Sequence, residues 1–193
     1  MPISPEALEA ALLIDRLERL ARSGEQAGRL NPAQWDALRY LARANRFSRS
    51  PAALADYLAS TRGTVSRTLA SLESKGHVAR HPSASDGRSV DFMLTAKAER
   101  ALARDPLHTM AADIERATSG NAATLLDELR RTLRNAIARN HGRAFGACLS
   151  CRHFRAHDRP SSRTPHHCAL LDEPLSDLDS RAICIEQEPA AAA

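Results

Sequence analysis

Cysteine is absent from the first 147 residues of this 193-residue chain, and aromatic residues make up only 4% of it. Scarce aromatics together with 36 alanines favour close helix packing over strand-rich sandwiches. No run approaches the roughly 18 to 20 apolar residues that a membrane span requires. Residues 1–20 alternate acidic and apolar side chains and lack the basic-then-apolar order of an export signal. A cytoplasmic protein with no membrane partner is therefore expected. The 8 glycines are scattered or stand at helix ends. Neither a glycine-rich phosphate loop, a nucleophile elbow nor an acid/base pair in a recognisable context is present, so the chain does not read as an enzyme.

Charge is present but unevenly placed. The formal net charge is +4, yet residues 1–147 hold 22 basic and 16 acidic side chains while residues 148–193 hold 5 and 7. All four cysteines and four of the eight histidines fall in that last stretch. A basic body followed by a short acidic, Cys/His-rich tail implies two modules with separate tasks.

Along the body, Leu8, Leu12, Leu13, Leu17 and Leu20 predict an amphipathic helix over residues 4–22. Asn31-Pro32 is a helix start, because the amide caps and proline tolerates the first turn. That helix runs through Trp35, Leu38 and Leu41 to about Ala44. Ser50-Pro51 repeats the signal and opens a short helix with Leu54 and Leu58 inward. Residues 61–76 carry a stripe of Val65, Leu69 and Leu72 and end at Gly76, a C-capping residue. Two short helices with a tight link, the second bearing Arg62, Thr64, Ser66 and Arg67 off its apolar face, form a helix-turn-helix candidate. Alternation then takes over at residues 77–80 and 90–94 around a turn-rich loop, which predicts a hairpin, or wing. Thr95 caps a helix expected over residues 96–117, kinked at Pro106. Leu126, Leu129, Leu133 and Ile137 mark a last helix over residues 124–140. The terminal helices carry more apolar stripe than one small core covers, so a homodimer is expected.

These stretches resemble the winged helix-turn-helix of the MarR family of bacterial regulators. The resemblance is carried by residues 50–60, by Thr61-Arg62-Gly63-Thr64-Val65-Ser66-Arg67-Thr68-Leu69, by Leu72-Glu73-Ser74-Lys75-Gly76, and by Asp86-Gly87-Arg88-Ser89 leading to Leu94-Thr95. It implies a mainly α fold with a small β-hairpin wing. The corresponding division is a dimerisation helix (1–30), a winged helix-turn-helix (31–95), further dimerisation helices (96–145) and an irregular Cys-rich tail (146–193). It also implies a dimeric DNA-binding regulator, a repressor, reading a pseudo-palindromic operator in double-stranded DNA. Carried over by position, Thr61, Arg62, Thr64, Ser66 and Arg67 face DNA, with Arg62 or Arg67 bidentate to guanine and the hydroxyls mostly on phosphate. Arg88 enters the minor groove, steadied by Asp86. Plainer roles exist for single residues. An exposed arginine is often only solvated, Ser66 and Thr68 can bond back to the helix, and Asp86-Gly87 can be turn chemistry alone. His77 and His81 read as hairpin surface, and Trp35 as core.

In the tail, Cys148 and Cys151 form a close pair, and Cys168 and Cys184 follow singly. In a cytosolic chain such a cluster reads as metal ligands before disulfides. Four soft thiolates suit Zn²⁺ or an iron–sulfur cluster, and the loose spacing of the last two favours the cluster. His153, His157, His166 and His167 are mostly exposed or supporting residues by this reading, with His153 and His167 as substitute ligands in a Cys₃His site. So short a segment with few apolar residues gains order from a bound metal. Because the tail starts at Phe145-Gly146, a change in cluster redox state or iron supply is expected to act on the adjoining dimer helices; shifts of about 1–2 Å there suffice to misplace a half-site reader. Two other readings compete. One is a small-molecule-responsive regulator of the same family with a purely structural zinc tail, and the other a winged-helix protein-interaction module without specific DNA binding.

Overall fold

The computed structural model describes residues 2–25, 30–83, 89–140, 142–158 and 163–190. The first helix, α1 (Pro5–Glu25), touches through Arg22 and Asp36, 3.7 Å apart, a tight cluster of α2 (Pro32–Arg43), α3 (Pro51–Tyr57) and α4 (Arg62–Ser74). Each clustered helix begins at its expected cap. Asn31 and Gln34 satisfy one another's backbone N–H groups at 2.9 and 3.1 Å. Ser50 accepts from the Ala53 N–H, and Thr61 from the Thr64 N–H. Trp35, Leu38, Leu41, Leu54, Val65, Leu69 and Leu72 turn inward and share one core with Val78, Phe92 and Ala98. At the end of α4, Gly76 takes φ +72°, and the Gly76 and His77 N–H groups donate back to Glu73 and Leu72 at 2.9 Å.

That turn launches the wing. Strands β1 (Val78–Pro82) and β2 (Val90–Leu94) pair antiparallel, from Val78 opposite Leu94 to Pro82 opposite Val90. The Phe92 N–H donates to the Arg49 carbonyl at 3.0 Å, which ties the hairpin to the entrance of α3. His81 is exposed as expected, but His77 is not on the hairpin surface: it is buried where α4 turns into β1. Burial first, then the Lys97 and Lys75 charges, hold its imidazole below its ordinary pKa.

The helix expected over residues 96–117 is two helices, α5 (Ala96–Leu102) and α6 (Leu107–Ala117). Asp105 causes the break. Its carboxylate turns inward to Arg39 Nε of α2 at 2.8 Å and accepts the Leu107 N–H at 2.8 Å, with Pro106 between. The next helix is α7 (Ala123–Arg139). Neither α6 nor α7 has a buried residue, and leucines of α1 and α7 lie open, Leu12 at 61% and Leu133 at 59% exposure.

The tail is more regular than expected. Strand β3 (Gly146–Ala147) pairs antiparallel with β7 (Ile183–Cys184), and a 3₁₀ turn (Cys148–Ser150) follows β3. Strands β4 (Phe154–Arg155), β5 (His166–Cys168) and β6 (Glu173–Leu175) form a second antiparallel sheet in that order. Helix α8 (Asp177–Arg181) starts at a Ser176 capping box and leads into β7. Among the described residues no helix is long and apolar enough to cross a membrane.

Candidate nucleic-acid interface and thiol site

The rotation of α4 follows from its core contacts. With Val65, Leu69 and Leu72 buried, Arg62, Thr64, Ser66 and Arg67 project outward, and all four are exposed together with Thr61. The Thr61 and Thr64 hydroxyls lie 2.9 Å apart at the helix start, so their first task is the cap. Thr68 bonds back to the Thr64 carbonyl at 3.1 Å. Neither Arg62 nor Arg67 is hydrogen-bonded or ion-paired to another described residue, which leaves both guanidinium groups open to an external anion or base edge. On the wing, Arg80 is committed: it pairs with Glu73 at 3.2 Å and lies over Phe92. Arg88 and its expected support Asp86 lie outside the described residues.

The four cysteines are free thiols, with Cys148 and Cys184 buried and Cys151 and Cys168 half-buried. Backbone geometry gathers them. Cys184 lies opposite Gly146 across β3 and β7, only two residues from Cys148. Cys151 closes the 3₁₀ turn by donating its N–H to the Cys148 carbonyl at 2.8 Å. Cys168 sits opposite Phe154 on the neighbouring sheet. Cys148 hydrogen-bonds to Cys184 and stands within electrostatic reach of Cys168 and Cys151 as well. That hydrogen bond chiefly lowers the Cys184 thiol to about 6, against its burial, and it raises Cys148. The Asn45 side chain, the Glu186 N–H and the Ser48 side chain further favour the Cys184 thiolate.

As the side chains stand, no group of three or more His, Cys, Asp or Glu among the described residues is set to hold a metal ion. The substitute ligands are engaged elsewhere. His167 Nε2 lies 3.0 Å from Asp172, and His153 Nε2 lies 3.4 Å from Glu188. His167 also adjoins Cys168 on β5, where successive side chains leave opposite faces. His166 is buried, 2.9 Å from Asp177.

The tail follows directly on α7 and also reaches the helix-turn-helix. It seats on the segment of residues 44–49 between α2 and α3. The Asn45 N–H donates to the Ile183 carbonyl at 2.8 Å, and the Ile185 N–H to Ser48 Oγ at 2.9 Å. Arg46 reaches Asp179 at 3.2 Å, Glu173 at 3.1 Å and the Pro174 carbonyl at 2.7 Å. Phe47 packs on Cys148, Leu175 and Cys184, while Ile183 joins the core of the body. Tyr57 and Phe145 stack edge-on at 5.3 Å, joining α3 to the root of the tail. Asn45, Arg46 and Ser48 had no signal in the sequence, since their partners lie more than 120 residues away.

Residues 30–89 match the model of the MarR family. BldR of Sulfolobus solfataricus shares the fold at 20% identity with a TM-score of 0.52, over 72% of this chain and 99% of BldR. MepR of S. aureus, solved in complex with DNA, does so at 17% identity and 0.55, over 70% of this chain and 96% of its own. Wild-type apo MarR of E. coli gives 23% identity and 0.50, over 70% and 99%. No protein of curated function matches the chain.

Proposed function

We propose that this chain, a winged helix of the MarR type in fold, is a transcriptional regulator that binds double-stranded DNA as a homodimer. The observation that carries the reading is the outward face of α4, where Arg62 and Arg67 are exposed and uncommitted to any described residue. A helix of this kind fits the major groove, where a guanidinium donates bidentately to guanine O6 and N7. The likeness to MepR, solved with DNA, lends support. The open leucines of α1 and α7 supply the apolar area for a second copy. Twofold pairing makes a pseudo-palindromic operator the target, and occupancy of a promoter makes repression the outcome. Control of that occupancy by the tail, through an iron–sulfur cluster that reads redox state or iron, belongs to the same proposal.

The test is selection of binding sites from random duplex DNA by the full-length protein, followed by titration of the enriched sequence at several salt concentrations. An inverted repeat bound less tightly as salt rises is expected, from counterion release. Arg62→Ala and Arg67→Ala should each weaken the selected site by about 10- to 100-fold, the equivalent of ~1–3 kcal/mol, with helix content unchanged. Failure to enrich any sequence, or binding indifferent to both arginines, overturns the reading.

A further inference from the structure

The four thiols lie in the part of the molecule least able to order itself. Among the described residues after 146, Leu175 and Ile183 are the only buried aliphatic side chains. Strands of two or three residues and a five-residue helix complete the module. Such a segment usually needs a staple, and no disulfide supplies one.

The surroundings of the thiols point the same way. Asn45 is 1% exposed, and its Nδ2 is buried without an ordinary hydrogen-bond acceptor. Asn45 is held beside Cys184 by its backbone, whose N–H donates to the Ile183 carbonyl at 2.8 Å. Amide donors placed around a ligating sulfur offset the negative charge that accumulates when several thiolates share one centre. The turn that brings the Cys151 N–H onto the Cys148 carbonyl presents two ligands from one short loop, and Cys168 and Cys184 approach from separate strands.

We infer that Cys148, Cys151, Cys168 and Cys184 form an all-thiolate site for a thiophilic metal centre, with the buried, unpartnered Asn45 amide beside the strand that carries Cys184. Each thiol gives up its proton to solvent on binding, so loading is proton-coupled. Because the sulfurs as they stand are not set to hold a metal, loading requires the 3₁₀ turn and β5 to close on it. The occupant is either Zn²⁺ or an iron–sulfur cluster, which share this soft sulfur chemistry. Because residues 44–49 hold the module through Asn45, Ser48 and Arg46, the centre fastens the tail to the entrance of the helix-turn-helix. This inference does not depend on DNA binding.

The full-length protein is purified anaerobically, and zinc, iron and acid-labile sulfide are measured together with the visible spectrum. About one zinc per chain in colourless protein supports the site with zinc as occupant. Iron and sulfide in roughly equal amounts, about two to four of each, with a broad band near ~400 nm, support it with a cluster. Cys168→Ser, at a half-buried position, should lower metal content at least about 10-fold, while His167→Ala should leave it unchanged. Circular dichroism of both variants checks that the helical body persists. The inference fails if wild-type protein holds less than about 0.1 metal per chain and takes up neither Zn²⁺ nor Fe²⁺ with sulfide. It also fails if Cys168→Ser retains wild-type metal with its helices intact. The inference deepens the tail's part of the proposed function: failure here removes the cluster from that control, whereas DNA binding stands or falls on its own site selection.

Discussion

The body from α2 to α5 and the module after residue 146 are held together by different forces. The body buries a continuous set of large apolar side chains contributed chiefly by four helices and a hairpin, with Ile183 of the tail added at its edge. Removing that area from water is worth about 25 cal/mol per Å², so the whole set is expected to unfold as one unit. The tail has a small apolar cluster around Cys148, Leu175 and Cys184. Its order comes from short backbone ladders and from Arg46 between Asp179 and Glu173. The same chain thus combines a region stabilised by volume with one stabilised by a few specific polar links. The second kind should be the more sensitive to salt, whereas the first should feel pH chiefly through single links such as Arg39 with Asp105.

The sharpest way to break this contrast is to cut one fully buried leucine in each region. Leu38→Ala should cost about 2–5 kcal/mol in urea unfolding and shift the entire helical transition. Leu175→Ala removes a side chain just as buried, but the loss should appear as faster amide exchange and proteolysis within residues 146–190. The transition of the body should move by less than about 1 kcal/mol. Equal effects of both variants on a single transition would show that the two regions fold as one.

The ion pair of Arg39 with Asp105 tests a polar link inside the body. Burial alone would raise the Asp105 pKa, but hydrogen bonds from Arg39 and the Leu107 N–H, with the Arg39 charge, lower it overall. A carboxyl whose folded pKa is depressed contributes stability that is complete above its unfolded value, near 4, and lost as pH falls through the folded value. Asp105→Asn should therefore destabilise by about 1–3 kcal/mol at pH 7 and flatten the acid limb of the stability profile below about pH 4. Thermal unfolding of both proteins from pH 7 down to about 2 measures this. An unchanged acid limb would remove Asp105 from the account.

How much of this was legible in the sequence depends on how local each cause is. The starts of α2, α3 and α4 were readable because cap and helix lie within four residues: Asn31 with Gln34, Ser50 with Ala53, Thr61 with Thr64. The outward set on α4 was readable because Val65, Leu69 and Leu72 fix its rotation. The break between α5 and α6 was hidden, since it depends on Arg39 in a distant helix. His77 looked like hairpin surface because nothing nearby announces that Thr95, eighteen residues on, returns to donate its N–H to the His77 carbonyl. The cysteine count pointed to a cluster, but strands of two residues leave no periodic trace, and the docking of Ile183 and Arg46 is set by contacts across the whole chain. Short-range chemistry was visible; long-range pairing was not.

Arg46 is where the two regions meet. Arg46→Ala deletes both carboxylate contacts and the hydrogen bond to the Pro174 carbonyl. Arg46 is partly exposed and screened, so the loss should be about 1 kcal/mol. It should be read as faster exchange in β6 and α8 rather than as a change in the melting of the body. Raising salt in the wild-type protein should reproduce part of the effect. A body transition that falls with Arg46→Ala would mean the tail braces the helix-turn-helix energetically as well as by contact.

The smallest expected effect has the opposite sign and lies on the body's functional edge. Gly63 is the second residue of α4, and a Cβ built there meets no atom within 4 Å. Its backbone conformation is one that an L-residue adopts freely, so alanine should stabilise by about 0.5–1 kcal/mol, mainly by restricting the unfolded chain. The same methyl stands between Arg62 and Thr64, in the face assigned to DNA. If that face is the interface, Gly63→Ala should raise the melting temperature while changing operator affinity, because stability and recognition are served by different sides of one helix. A gain in stability with no change at the selected site would move the contact surface away from the start of α4.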